Sequence, residues 1–389
     1  MSAVELGRGD TQVLLEPVSQ AIEQHRDDGE RERRLPDAVV RAMSDAGLFQ
    51  LWTPKEYGGS EIDLPAFMEA VEHVSQMDGA AGWVFANLAA GAVLAAFLPE
   101  EGAKEIYANG PNVPIPGSVA PKGRATPVNE GYRLSGQWPL ASGCHHGDWL
   151  GAVALVFDGD APRMGPGAAP DFRVMFFRRE DCQILDTWNS MGLRGTGSTD
   201  FTVADVFVPE HRVFSLFTTT PQVSGPLFKT GIMPLFSMAL ASVLLGTARA
   251  SIDAFVALAR EKTPTMSQTG LASRPTIHAE VARAEALVQS SRAYLYQVAR
   301  DLMDAVRTSK GVPEDVEANR RLACVNTGAS CVKAVDMVFA LAGATPIYSG
   351  HRLERCLRDI HTAGQHLAVS PVWWEKTGQF YFGLGLGMP

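Results

Sequence analysis

The chain predicts an α+β fold, mostly α, with an N-terminal helical domain, a central β-sandwich or barrel and a C-terminal four-helix bundle. Three observations carry this. Apolar residues recur at helical spacing through positions 1–110. Gly and Pro then punctuate short strand-favouring runs from 111 to about 213. Long helical patterns resume from about 234. We place the domains at 1–110, 111–218 and 219–389. A chain of 389 residues exceeds what one hydrophobic core usually covers, so several packed units are expected.

The first helix is read over 13–25. The charged run 26–34 reads as a solvated connector, and Leu35-Pro36 starts a second helix through Met43. Residues 51–59 form a turn-rich loop, and helical spacing returns over 64–77, 80–97 and 99–108. In the middle third, strands are expected at 132–134, 149–157, 172–177 and 201–208. Helices over 234–262, 277–308, 316–342 and 353–366, joined by short links, suggest the bundle. The Gly383-Leu384-Gly385-Leu386-Gly387 end reads as a flexible tail.

Composition is that of an ordinary globular protein, with 46% apolar and 20% charged residues. A net charge of −9 argues against nucleic acid or an anionic membrane as main partner, while leaving room for a local basic phosphate pocket. The N-terminus lacks a signal-peptide pattern, and the most apolar stretch, 232–245, is too short for a membrane span. Five cysteines without a CxxC pair fit reduced thiols in a cytoplasm. The expected localisation is cytoplasmic.

Several residues stand out for chemistry. Ser142-Gly143 pairs a hydroxyl with a small residue that lets backbone approach a flat ring, although a strand-end turn reads the same way. His145-His146 invites a metal reading, but no zinc-type spacing accompanies the pair, so a surface loop is expected and no metal site. The glycine-rich Gly192-Leu193-Arg194-Gly195-Thr196-Gly197 fails as a dinucleotide fingerprint, because strands surround it and no helix follows. His366 carries an imidazole suited to proton transfer near neutrality, or is a satisfied core histidine. His361, five residues away, is rotated by roughly 140° on a helix and should face elsewhere.

Four segments carry a resemblance. Leu48 to Gly59 resembles the early Pro-x-x-x-Gly-Gly loop of acyl-CoA dehydrogenases, and 131–143 resembles their hairpin. Residues 191–198 with Val206-Phe207-Val208-Pro209 are similar to the strands closing their β domain. Ala342-Gly343-Ala344 before Arg358-Asp359 is similar to the turn before Arg-Asp in their bundle. Where such a dehydrogenase places an aromatic residue and a glutamate base, this chain reads Gln365-His366-Leu367, with no carboxylate. Ser142-Gly143, 192–198 and 359–366 resemble the oxygenase components of two-component flavin monooxygenases.

That resemblance implies hydroxylation of an aromatic or polycyclic substrate by way of a C4a-hydroperoxyflavin. It calls for reduced flavin (FADH2 or FMNH2), O2 and a separate NAD(P)H:flavin reductase, since no nicotinamide motif is visible. His366 and Ser142 are the implied catalytic pair. Ser142, Gly143, Arg194, Ser198 and Arg260 are implied flavin contacts, with Arg274 a weaker candidate for phosphate. Gly343, Ala344 and Thr345 are implied contacts from a neighbouring subunit of a homotetramer. Arg260 could equally be an arginine favoured at a helix C-terminus. Trp83 and Ser118 are implied substrate contacts and Trp188 is a further aromatic candidate, although an aromatic at helical spacing is often simply core. The alternatives are an acyl-CoA dehydrogenase with bound FAD, for which Asp253 is the one carboxylate over 234–259, and an amine-oxidising nitrososynthase.

Overall fold

Residues 8–165, 169–308 and 311–387 are described in a computed structural model of the chain, with side chains from residue 15 on. The extreme N-terminal residues 1–7, on which the leader reading partly rests, lie outside these. Five helices come first: α1 (Arg8–Glu32), α2 (Asp37–Asp45), α3 (Leu64–Met77), α4 (Gly79–Ala95) and α5 (Glu100–Ile106). Asp63 and Asp78 start α3 and α4 by accepting the backbone N–H of Ala66 and Ala81 at 3.0 and 2.9 Å. Helix α4, rich in Ala and Gly, is buried nearly all round and packs between α3 and α6. The charged run read as a connector instead continues α1 as far as Glu32, with Arg33 and Arg34 in the turn that follows. Pairs one turn apart, Arg26–Glu23 at 2.8 Å and Arg31–Asp28 at 2.7 Å, support the helix.

The strands are β1 (Gly117–Val128), β2 (Gly131–Ala141), β3 (Trp149–Asp158), β4 (Ala161–Pro162), β5 (Phe172–Arg178), β6 (Cys182–Leu185), β7 (Thr199–Pro209) and β8 (Val213–Ser215). They form one mixed sheet in the order β6-β7-β2-β1-β3-β5-β8, with β4 beside β3 and only β1 and β3 parallel. The sheet curls on itself. Trp138 of β2 stacks on Phe201 of β7 at 5.2 Å, and Phe201 also meets Phe177 of β5 at 5.9 Å, although β5 and β7 lie far apart in strand order. The β domain thus has a core of its own in barrel-like form. The longest strand, β1, is not apparent from its composition. Pro121 falls where the β1–β3 register shifts, between Ser118 and Gly123, so the missing N–H breaks no ladder.

Helices α6 (Ile232–Glu261), α7 (Pro275–Thr308), α8 (Glu314–Leu341), α9 (Arg352–Ala363) and α10 (Val372–Tyr381) complete the fold. By length and composition alone α6 and α8 could cross a membrane, but 89% of the apolar window of α6 lies inside this fold. Helix α9 ends three residues before His366, and α10 extends beyond the expected bundle. The glycine-rich end is also no free tail: Leu386 is buried, its N–H donates to Glu314 at 3.0 Å and its carbonyl accepts from Arg321 at 3.1 Å. All five cysteines are free and buried.

Candidate active site

One apolar cavity of about 370 Å³ lies where α4, the ends of β1 and β2, the 188–198 turn, the start of α6 and the segment after α9 converge. A β-bulge prepares its floor. The β2–β7 register shifts between Trp138 and Ala141, and Leu140 takes a left-handed φ of 60°. That break exposes the Pro139 carbonyl, which accepts from Ser118 Oγ at 2.8 Å, and delivers Ser142 to the cavity wall. Gly143 follows at φ 70°, where a Cβ would press Leu88 and Val84 of α4 at 3.0 and 3.2 Å.

Ser142 is buried and does not stand alone. Trp83 Nε1 donates to Ser142 Oγ at 3.0 Å, Ser142 Oγ lies 2.7 Å from Ser198 Oγ, and Ser198 Oγ lies 2.6 Å from Thr196 Oγ1. Thr196 Oγ1 also reaches the Leu193 carbonyl at 2.8 Å. Trp188 Nε1 is shared between the carbonyls of Leu193 and Arg194, both at 3.1 Å. The turn holding these groups is anchored from α9. Asp359 accepts the Leu193 N–H at 2.5 Å, and Gly192 sits so close to the Arg358 carbonyl that a Cβ would lie 2.1 Å from it. Burial, with Asp78 and Glu30 nearby, raises the Asp359 carboxyl to about 7.

His366 lies across the cavity, capping the short turn after α9. Its Nδ1 accepts the Ala368 N–H at 3.1 Å, so the neutral ring carries its proton on Nε2. The ring meets Trp83 edge-on at 5.4 Å and Phe236 at 5.9 Å. Burial lowers its pKa to about 4. The imidazole is therefore neutral at pH 7, rather than titrating near neutrality as an unperturbed ring would. Among the described residues lining the cavity none is Asp, Glu, Lys or Arg.

The structure brings together Trp83, Ser118, Ser142, Trp188, Ser198 and His366. Other expected residues stay apart within this chain. Arg194 turns its guanidinium to Glu30, 3.3 Å away, so its side chain does not join the wall. Arg260 is exposed at the end of α6, near a turn where Lys262 Nζ donates to the Ala342 carbonyl at 2.5 Å and to Thr345 Oγ1 at 2.6 Å. Gly343 and Ala344 are exposed beside it, and Arg274 lies partly buried in the loop before α7. His361 pairs with Asp336 at 2.7 Å, away from the cavity as expected. Asp253 pairs with Arg249 at 2.8 Å and is not in the lining. Of the histidine pair, only His145 is exposed; the His146 side chain is buried 3.6 Å from Asp37, and its pKa falls to about 4 by burial. No cluster of three or more potential ligands that could hold a metal occurs among the described residues.

Sequence reasoning missed Asn87, Gln365 and Phe236 in the lining, and Thr196 behind it. The alternation of hydroxyls at 196 and 198 is the one signal that could have pointed to Thr196. The cavity fits a flat ring with polar edges: apolar walls, a buried hydroxyl row on one side and an N–H-bearing imidazole on the other.

The acyl-CoA dehydrogenase N-terminal domain family matches residues 13–107, and the acyl-CoA dehydrogenase C-terminal domain family matches 238–371. Indole-3-acetate monooxygenase of Pseudomonas putida is 32% identical over 91% of this chain and 89% of its own length. The oxygenase subunit HsaA of a flavin-dependent monooxygenase from Rhodococcus jostii is 29% identical over 87% of this chain and 89% of its own. The structure of XiaF from Streptomyces sp. in complex with FADH2 and glycerol superposes with a TM-score of 0.88 at 29% identity, covering 98% of this chain and 99% of that one. With a cavity that carries an imidazole where a dehydrogenase would need a carboxylate, this chain belongs to the acyl-CoA dehydrogenase family and, within it, to the oxygenase components of flavin-dependent monooxygenases.

Proposed function

We propose that this chain takes diffusible reduced flavin, FMNH2 or FADH2, from a separate NAD(P)H:flavin reductase and hydroxylates an aromatic or polycyclic substrate with O2. The balance is ArH + O2 + FlH2 → ArOH + H2O + Fl, the bound flavin supplying two electrons. The observation that carries this reading is the cavity itself: apolar, free of formal charge and edged by Ser142 and His366. Such walls exclude water from an oxygen reaction that water and stray protons would divert to H2O2. In this reading Ser142, Gly143 and Ser198 hold the polar edge of the flavin ring. His366 would hold a proton on Nε2 and donate it in a hydrogen bond to the reacting edge, and Trp83, Trp188 and Ser118 would orient the substrate. The names of the relatives, acting on indole-3-acetate or carrying FADH2, support an aromatic substrate and a reduced flavin.

The exposed Arg260, Gly343 and Ala344, with the half-buried Lys262 and Thr345, lie at a cationic end of the bundle suited to flavin phosphate. In this reading Arg260 contacts the flavin phosphate, and Gly343, Ala344 and Thr345 act across a subunit boundary of a cytoplasmic homotetramer. Neither nucleic acid, membrane nor metal takes part, and the domain limits stay at 1–110, 111–218 and 219–389.

Anaerobic protein with photoreduced flavin, mixed with oxygenated buffer, tests this. Expected is slow, multiphasic flavin reoxidation, with low H2O2 yield once an aromatic substrate is present. Ser142→Ala should raise H2O2 release and cut product formation by roughly ten- to a thousand-fold. His366→Ala should change the pH profile of substrate oxidation while flavin still binds. Reoxidation indistinguishable from free flavin, or stoichiometric oxidation of an acyl-CoA by oxidised FAD, would overturn the reading.

A further inference from the structure

The row of hydroxyls behind the cavity has a direction, and it can be worked out atom by atom. An indole N–H only donates, so Ser142 Oγ accepts from Trp83. Each hydroxyl of the row has one proton, and two arrangements run it in a single sense from end to end. In the inward sense Ser142 donates to Ser198, Ser198 to Thr196, and Thr196 to the Leu193 carbonyl. The cavity then meets only a lone pair of Ser142. In the outward sense Thr196 donates to Ser198 and Ser198 to Ser142, which frees the Ser142 proton for the cavity.

Reversal strands no partner. When Thr196 turns its proton away, the Leu193 carbonyl still accepts from Trp188 Nε1 at 3.1 Å and from the Thr196 N–H at 3.0 Å. Without a ligand in the cavity the outward sense has one hydrogen bond fewer, that of Thr196 to the Leu193 carbonyl, and an acceptor placed against Ser142 makes up the difference. A group placed against Ser142 selects between them. In the outward sense Ser142 accepts two hydrogen bonds while donating one, and that polarisation strengthens it as a donor.

We infer that Thr196 and Ser198 form a reversible hydroxyl relay, which sets whether Ser142 offers the cavity a lone pair or a proton and so matches the flavin ring in both oxidation states. This rests on the reading above that the flavin N5 edge lies against Ser142. Reduced flavin carries an N–H at N5 and needs an acceptor, which the inward sense provides. Oxidised flavin carries a lone pair there and needs a donor, which the outward sense provides. Thr196 does not line the cavity. It is a positioning residue, acting through Ser198 on Ser142.

The test compares affinities for oxidised and for photoreduced FMN, measured anaerobically, in wild type and variants. Thr196→Val removes the inward end of the row, so the Ser198 proton is left with Ser142 as its acceptor there. Binding of reduced relative to oxidised flavin should weaken by about two- to tenfold, and Thr196→Ser should restore the wild-type ratio. In flavin-free protein the Trp83 indole N–H resonance should move in Thr196→Val and return in Thr196→Ser. If Thr196→Val does not fold, Ser198→Ala, which removes the inward acceptor of Ser142, should shift the ratio the same way. An unchanged ratio and resonance in Thr196→Val, with Ser142→Ala still altering flavin affinity, overturns the relay and leaves the flavin placement standing. Unchanged affinities for both oxidation states in Ser142→Ala overturn the placement, and the relay with it.

Discussion

The 188–198 turn has two faces that handle polarity in opposite ways. Toward the cavity it presents Trp188, Ser198 and, behind them, Thr196, all uncharged and joined through hydroxyls and carbonyls. Toward α1 and α9 it meets a dense ionic network. Glu30 receives Arg194 at 3.3 Å and Arg358 at 2.8 Å, Arg355 pairs with Asp27 at 2.7 Å, and Arg358 also pairs with Glu354 and donates to the Met191 carbonyl at 2.9 Å. The difference teaches how one short segment serves a neutral pocket. The charges needed to fix an unusual backbone, with Leu193 at φ 50°, are kept on the side away from the chemistry.

Removing Arg358 should break the ionic face most severely, because it leaves Glu354 without its arginine, leaves Glu30 with Arg194 and the more distant Arg355, and frees the Met191 carbonyl. We expect Arg358→Ala to lower stability by about 3 kcal/mol, read from urea midpoints. A loss under 0.5 kcal/mol would mean that the network holds little of the turn.

The two faces should also titrate with opposite sign over the same pH range. His366 is harder to protonate folded, near 4, than unfolded, near 6.5. Its contribution is present above 6.5 and lost as pH falls toward 4. His366→Phe should therefore spare about 2–3 kcal/mol of the acid loss that wild type shows between pH 6.5 and 4, measured as the change in urea midpoint. An identical acid profile would mean that the ring is well solvated in the folded protein.

Asp359 runs the other way. Its folded value of about 7 exceeds the usual 3.8, so its contribution is present below 3.8 and lost as pH rises through 7. Asp359→Asn should gain about 2 kcal/mol relative to wild type between pH 5 and 7. Its amide oxygen remains available to accept from Leu193. Parallel melting curves for variant and wild type across that range would show the carboxyl to be ionised throughout.

Much of this was legible in the sequence, for physical reasons that differ by element. Residues 64–77 form a helix over their full expected span because an Asp cap and an amphipathic stripe agree. Ser142 and His366 stood out because their positions match motifs of the flavin-oxygenase resemblance; their own residue patterns read equally as a strand-end turn and a core histidine. The run 26–34 did not, because charges that look solvated are paired across more than 150 positions, as when Arg33 reaches Asp186 at 2.7 Å. The end of α9 was misjudged for a similar reason, since His366 leaves the helix to cap the following turn through Ala368. Strand β1, with two prolines and two cationic residues, has no apolar alternation to betray it.

The Leu193–Asp359 bond joins residues 166 positions apart, and the Trp83–Ser142 bond links the helical and β segments across 59. Contacts of such separation carry the greatest loop-closure cost, so folding completes them after the local helices and hairpins. On that ground we expect the cavity to form after the local helices and hairpins during folding. A ring bound there would favour the native state by mass action, making cofactor supply a determinant of how much of the protein survives proteolysis.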